Sequence, residues 1–365
     1  MKIAQVCPRY PPYIGGVETH VNEISKRLAS RGFEVDVLTT DPLGNLPKEE
    51  NLGGVTVKRF KSWAPSESYY VSWQLKKYLS RNSVKYDVVH AHSYHALPAL
   101  YAAQAKSRNR LVFTSHYHGK GHTFFRNLLH VPWMFVARKA FKRADKVICV
   151  SNYERNLVIS KFRINGEKIA LIPNGLNLKE FNSLKRQKKN CKVILYVGRL
   201  EKYKGVDNII RCLPKLDNNF LLEIVGKGPH KEGLIRLVNS LKVQDRVRFY
   251  QNLPRSELLQ KYANADLFIL LSAYEAFGIS IAEALAAGTP CIVANTSALS
   301  EWIDGENCFG IDYPIIVENL VKVIHQVMGK TAISMRFSDW EDVVNKLERI
   351  YNETMEEQTI NDVQP

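Results

Sequence analysis

The sequence predicts an α/β protein built from two Rossmann-like layers, on three observations. Short β-branched runs alternate with amphipathic segments, the pattern of parallel strands joined by crossover helices. The alternation runs through twice, and a stretch rich in Asn, Ser, Lys, Arg and Gln over 176–190 separates the passes. The chain has 365 residues, 45% hydrophobic and 24% charged, a size and composition suited to two globular domains. A disordered tail, a collagen and a small disulfide scaffold are excluded.

In the first pass strands are predicted over 2–8, 33–40, 55–60, 87–92, 111–116, 146–151 and 169–173. The first helix follows Gly15-Gly16, because Val17, Val21, Ile24 and Leu28 repeat at helical spacing and Gly32 stops it. The second pass restarts at 193–197 and adds strands over 221–225, 247–250, 267–271 and 291–294. A final helix over 340–351 carries Val343, Val344, Leu347 and Ile350 on one side, and 353–365 reads as a frayed tail. The expected domains are 1–180 and 190–335, with the polar stretch between them as linker and hinge.

Asp266, Glu275 and Glu283 interrupt the most apolar stretch, and the N-terminus lacks a signal-peptide core, so a cytoplasmic protein is expected. Six cysteines without C-x-x-C spacing read as reduced core thiols. The net charge is +15, and all of it lies in the first half: residues 1–180 hold 28 Lys and Arg against 13 Asp and Glu, and the rest hold 23 of each. A basic half suits a broad anionic partner such as a lipid headgroup surface or nucleic acid. A merely solvated basic surface is the plainer alternative.

Ligands of open α/β sheets gather at the carboxyl ends of the strands, so the residues after each strand carry most weight. After the first strand, Gly15 and Gly16 let backbone approach a phosphate or sugar beside a helix start, although such a pair is often only a turn. After the restart strand come Gly198, Arg199, Lys204 and Gly205, with a guanidinium fork and an ammonium suited to a diphosphate. Gly226-x-Gly228-Pro229 opens a third loop. Glu275 stands at a strand exit, Gly278 allows the turn, and Glu283 projects from the next helix. Two carboxylates at that spacing can grip hydroxyls at both ends of a ligand whose phosphates rest on the helix start between them.

These residues together resemble the retaining nucleotide-sugar glycosyltransferases of GT-B architecture that carry an E-x7-E motif, a group that includes phosphatidylinositol mannosyltransferases. The resemblance spans nearly the whole chain: Gly15-Gly16, Ile172 to Gly175, Gly198-Arg199 with Lys204-Gly205, Gly226 to Pro229, and Glu275 to Pro290. It implies two Rossmann-like domains facing across a cleft, with a C-terminal helix of about 340–356 packing back on the first. It implies that Glu283 holds the donor ribose and Glu275 the transferred sugar, while Arg199 and Lys204 neutralise the diphosphate. Phe277, Gly278 and Ile279 would cradle phosphate or sugar with their amides, Gly15 and Gly16 would face the diphosphate, and Asn252 and Leu253 would lie near the base. His116 matches the active-site histidine beside the transferred sugar. The implied mechanism retains anomeric configuration without an enzymic nucleophile, and it rests on leaving-group electrostatics and positioning. A hydrolase pair of Glu275 and Glu283 is set aside, because the Arg199/Lys204 clamp selects a phosphate ligand. No cofactor and no obligate metal are expected.

The chain departs from the family where relatives carry Gly-Gly before Pro-Glu and this sequence has Thr296-Ser297-Ala298-Leu299-Ser300-Glu301. Seven of ten histidines fall between His90 and His130, among them His92, His118 and His122. Zinc is one reading, but no Asp, Glu or Cys is close in sequence, and neutral groups lining an acceptor cleft are preferred. Residues 119–143 interleave Phe, Leu, Trp and Met with Lys and Arg, as an interfacial helix or a basic-faced core helix would. With the charge, this favours an anionic membrane surface and a lipid-linked or oligosaccharide acceptor. Nucleic acid is not expected, since no RNP-like strand, helix-turn-helix or zinc-finger spacing occurs. A non-catalytic sugar-nucleotide sensor would keep Glu283, Arg199 and Lys204 but not need His116.

Overall fold

The computed structural model describes residues 1–119, 124–187, 190–333 and 337–363. The chain divides into two compact units, the first Met1–Gly175 with Trp340–Pro365 and the second Leu176–Asp339.

The first unit is an eight-stranded sheet of β1 (Lys2–Val6), β2 (Glu34–Asp41), β3 (Glu49–Leu52), β4 (Val55–Lys61), β5 (Val88–His92), β6 (Arg110–Thr114), β7 (Lys146–Cys149) and β8 (Ile169–Leu171), in the order 3-4-2-1-5-6-7-8. Every pairing is parallel except β3 with β4, an antiparallel edge that the sequence pattern does not reveal. The helices are α1 (Gly16–Ser30), α2 (Trp73–Asn82), α3 (Leu97–Gln104), α4 (Phe124–Arg143) and α5 (Asn152–Phe162). Leu75 and Leu79 of α2, Ala99 of α3, Phe141 of α4 and Phe162 of α5 pack in one core with Leu111 and Phe113 of the sheet.

The second unit contains β9 (Lys192–Val197), β10 (Phe220–Val225), β11 (Val247–Tyr250), β12 (Leu267–Leu270), β13 (Cys291–Ala294) and β14 (Cys308–Ile311), all parallel in the order 11-10-9-12-13-14. Its helices are α6 (Val206–Cys212), α7 (Lys231–Ser240), α8 (Arg255–Asn264), α9 (Ile279–Ala286) and α10 (Val317–Val327). The strand β14 is an addition to the sequence reading.

The last helix, α11 (Trp340–Val363), returns to the first unit and runs well past the end that the sequence suggests. Its Trp340, Val343, Val344, Leu347 and Ile350 bury against Val21, Ile24 and Leu28 of α1 and against the sheet. Burial of such side chains contributes about 1.5–3 kcal/mol each, so this helix is part of the core. It also redistributes charge. The first unit holds 29 Lys and Arg against 19 Asp and Glu, a net +10, and the second holds 22 against 17, a net +5. That asymmetry is milder than the one between the two halves of the sequence.

The expected linker is a correction. Residues 176–187 belong to the second unit, because four apolar residues among the polar ones, Leu176, Leu178, Phe181 and Leu184, pin them down. Leu176 and Phe181 are buried against Leu259 of α8 and Ala282 of α9, with Leu184 packed beside them. Leu176 bridges to Asp339, Arg186 pairs with Asp266, and the Gln187 amide donates to Asn264 Oδ1 at 2.9 Å. Among the described residues, no helix is long and apolar enough to cross a membrane.

Candidate functional site

In the second unit the chain runs outward from β9 through β10 to β11, then crosses back to β12 on the other side of β9. Ligands of such sheets sit at the carboxyl ends of the strands flanking that reversal. The loops leaving β9 and β12 hold Gly198, Arg199, Lys204, Glu275 and Gly278. An ion pair, Lys204 Nζ with Glu275 Oε1, joins them. Both side chains are largely buried, at 12% and 17% exposure. The Glu275 carboxylate draws a proton to the Lys204 ammonium strongly enough to overcome burial and raise its pKa. Arg199 does stand exposed, beside Glu201 at 3.1 Å.

Glu275 is held on three sides. Ser272 Oγ donates to Glu275 Oε1 at 2.9 Å, and the Glu275 amide donates to Ser297 Oγ at 3.1 Å. Thr296 Oγ1 in turn donates to the Ala273 carbonyl at 3.1 Å. Thr296 and Ser297 therefore tie the β13 exit to the Glu275 loop through hydroxyls. Gly278 caps α9 in the left-handed region at φ 98°, and the Phe277 carbonyl accepts from Trp302 Nε1 at 2.7 Å. Ile279 begins the helix, and Glu283 follows one turn later. Glu283 Oε1 accepts from Arg255 at 2.5 Å and Oε2 from the Tyr262 hydroxyl at 2.9 Å, while Arg255 also reaches Glu180 at 2.9 Å. Burial and the neighbouring Glu283 carboxylate push the Tyr262 hydroxyl pKa well up, which keeps it a donor.

The glycine loops have a reason besides ligand approach. A β-carbon on Gly226 would lie 1.9 Å from the Gly198 carbonyl oxygen, and one on Gly228 would lie 2.4 Å from that of Leu200. Glycine here lets the β9 and β10 exits pass each other, with the Gly198 amide on the Val225 carbonyl at 3.0 Å. Asn252 and Leu253 follow β11, the edge strand, and Leu253 packs on the second unit's core.

In the first unit the reversal lies between β1 and β5. Gly15 precedes α1 and Gly16 begins it, but a β-carbon on Gly15 would lie 2.3 Å from the Glu18 carboxylate. Glu18 is itself paired with Arg9 at 2.7 Å. A side chain of this chain therefore lies against the loop that the sequence offers to a diphosphate. His92 ends β5, His116 follows β6, and His20 of α1, absent from the sequence-derived site, meets them. The His20 and His116 ring centroids are 5.1 Å apart, and those of His20 and His92 5.5 Å. Burial lowers the pKa of all three, His20 to about 4 and the others well below the usual imidazole value, so they are neutral near pH 7. His90 lies deeper, between Tyr351 and Thr114, each at 2.7 Å, and His118 stacks on His95. His122 lies outside the described residues, as do the side chains of the first part of α4.

His116 takes a left-handed backbone, φ 48°, and a buried carboxylate holds it there. Glu154 Oε1 accepts from Ser115 Oγ at 2.5 Å and from the Tyr117 amide at 2.6 Å, while Oε2 accepts from the Val150 amide at 2.7 Å. Burial still outweighs these donors and raises the Glu154 pKa to about 7. Sequence reasoning missed Glu154 because it looks like an ordinary acidic residue in the first turn of α5, behind the Ser151 cap.

Comparisons with known proteins place this geometry. Residues 14–180 match the profile of Glycosyltransferase Family 4, and residues 179–339 that of Glycosyl transferases group 1. An uncharacterized glycosyltransferase of Methanocaldococcus jannaschii is 32% identical over 335 residues, covering 84% of this chain and 83% of that protein. The structure of sucrose-phosphate synthase from Thermosynechococcus elongatus superposes with a TM-score of 0.82 at 21% identity, over 97% of this chain and 99% of that one. Anabaena HepE, solved in complex with UDP-glucose, gives a TM-score of 0.77 at 19% identity, over 97% and 100%.

Proposed function

Because the chain belongs to the glycosyl transferases group 1 family and has the GT-B fold, we propose that it is a retaining hexosyltransferase using a UDP- or GDP-sugar donor. The observation that carries this reading is the Lys204–Glu275 pair at the β9/β12 reversal, a cation and a carboxylate where a diphosphate and a sugar would lie. The UDP-glucose bound by HepE supports a nucleotide-sugar donor. Lys204 and Arg199 would neutralise charge on the departing diphosphate, and Glu275 would bind the transferred sugar's hydroxyls. Glu283 would take the ribose hydroxyls, steadied by Arg255 and Tyr262. Neutral His116 would support positive charge at the anomeric carbon, and donor phosphate oxygen would accept the acceptor's proton on the same face. No step calls for a metal.

The acceptor proposed is a glycan or lipid-linked sugar at the cytoplasmic membrane face. The outer side of α4 supports this, since Phe135 is 69% exposed and neighbours exposed Lys139, Lys142 and Arg143. Each basic residue near an anionic surface contributes about 1 kcal/mol.

Calorimetry of UDP, GDP and ADP against the wild type and Glu283→Ala tests the donor assignment. One nucleotide should bind selectively, and the variant should lose at least tenfold in affinity. Absence of binding by all three would sink the proposal and leave a scaffold role.

A further inference from the structure

The three histidines at the β1/β5 reversal of the first unit form a constellation of which the proposed transfer mechanism uses only His116. Each leaves one ring nitrogen without a hydrogen-bond partner although the atom is buried: Nε2 of His20, Nδ1 of His92 and Nε2 of His116. One nitrogen from each ring lies within 4.8 Å of those of the other two. Buried polar atoms are rarely left unpaired, and three on facing rings call for one common partner.

The other nitrogens show which electron pairs are available. Asn174 Oδ1 faces His20 Nδ1 at 2.8 Å, so Nδ1 donates and Nε2 keeps its lone pair. Gln5 Oε1 faces His92 Nε2 at 2.8 Å, so Nε2 donates and Nδ1 keeps its lone pair. Gln5 is fixed in turn, because its amide donates to the Tyr351 hydroxyl at 3.4 Å and that hydroxyl meets His90 Nδ1 at 2.7 Å. Two imidazoles are thus each held by an amide oxygen at one nitrogen and keep a bare lone pair at the other. This is how proteins prepare histidine to ligate a metal.

We infer that His20, His92 and His116 form a binding site for a divalent transition metal of the zinc class, with three neutral imidazole ligands and open positions for water or another ligand. Imidazole selects zinc, copper, nickel and cobalt over magnesium and calcium, and three histidines plus one open position is an established zinc arrangement. Ligands about 2.1 Å from a tetrahedral ion stand about 3.4 Å apart, so each ring closes in by less than about 1 Å. The sequence reading set zinc aside because no Asp, Glu or Cys lies close by in the chain, and the ligand it did not foresee is a further histidine, His20. That ligand comes from α1, on a different element. Metal occupancy would withdraw His116 from the role proposed above, making the loaded protein a resting form. This consequence rests on that role, whereas the site itself does not.

The test uses the full chain, stripped with chelator and titrated with Co2+ and then Zn2+, with calorimetry and visible absorption as readouts. One Co2+ per chain should bind with the intense visible band of a low-coordinate imidazole site, and Zn2+ should bleach it. His20→Ala and His116→Ala should each weaken binding at least 100-fold, and Asn174→Ala about 10- to 100-fold. His325→Ala, at an exposed position on α10 of the second unit, should leave it unchanged. The wild-type stoichiometry is independent of how any variant folds. Absence of a one-to-one band in the wild type, or a band that persists in both His20→Ala and His116→Ala, overturns the inference. Donor nucleotide binding, measured separately on the second unit's residues, is independent of either outcome.

Discussion

Lys204→Ala should lower turnover by about 10²- to 10³-fold, the range found when a single preorganised donor to developing negative charge is removed. Unlike Arg199→Ala, it should also cost stability. The Lys204 and Glu275 side chains are 12% and 17% exposed, and alanine leaves the carboxylate with only the Ser272 hydroxyl among its described side-chain partners. Breaking a fully buried pair costs about 3–5 kcal/mol, and this one, partly solvated, should cost about 1–3 kcal/mol. Urea unfolding and a transfer assay read the two effects separately. Glu275→Gln placed on the Lys204→Ala background should recover most of the stability and none of the turnover. Arg199→Ala, exposed beside Glu201, should slow transfer with the unfolding midpoint unmoved. Turnover equal to wild type in Lys204→Ala would remove the diphosphate role from this residue.

Glu154→Ala should have the larger structural effect. Alanine would strand the buried amides of Tyr117 and Val150 and the Ser115 hydroxyl, which now donate to one carboxylate at 2.5 to 2.7 Å. Each unpaired buried group costs about 1–3 kcal/mol, so a loss of about 3 kcal/mol or more is expected. Glu154→Gln should be damaging too, because its amide nitrogen would meet donor groups wherever it points. Two of the three donors flank His116, whose left-handed backbone depends on them. Turnover should therefore fall while nucleotide affinity, proposed above for the second unit, is spared. If turnover survives a measured loss of stability, Glu154 supports the fold and does not position His116.

The strands were legible because β-branched runs bounded by glycine and polar residues leave a strong periodic trace. The trace fails at β3, whose Glu49, Glu50 and Asn51 suit an exposed antiparallel edge. It also fails at β14, whose four residues include a glycine. Lys204 and Glu275 stand out by their position after strands, whereas His116 is singled out only by the family resemblance. The pairing of Lys204 with Glu275 is not legible, since they lie 71 positions apart and nothing local announces the pair. His20 was hidden for the opposite reason. It sits between Val17 and Val21 on a helix whose spacing reads entirely as core, so its place beside two other imidazoles emerges only from the sheet order.

The return of α11 has a consequence for biosynthesis. The second unit is one continuous stretch, Leu176–Asp339, and all of it is synthesised before the helix that covers Val21, Ile24 and Leu28 is made. The unit whose synthesis begins first is thus the last to be completed, and its apolar face waits uncovered while its neighbour folds. A proteolytic cut ahead of Trp340 would remove the cover of Val21, Ile24 and Leu28 from the first unit and leave the second unit's chain intact.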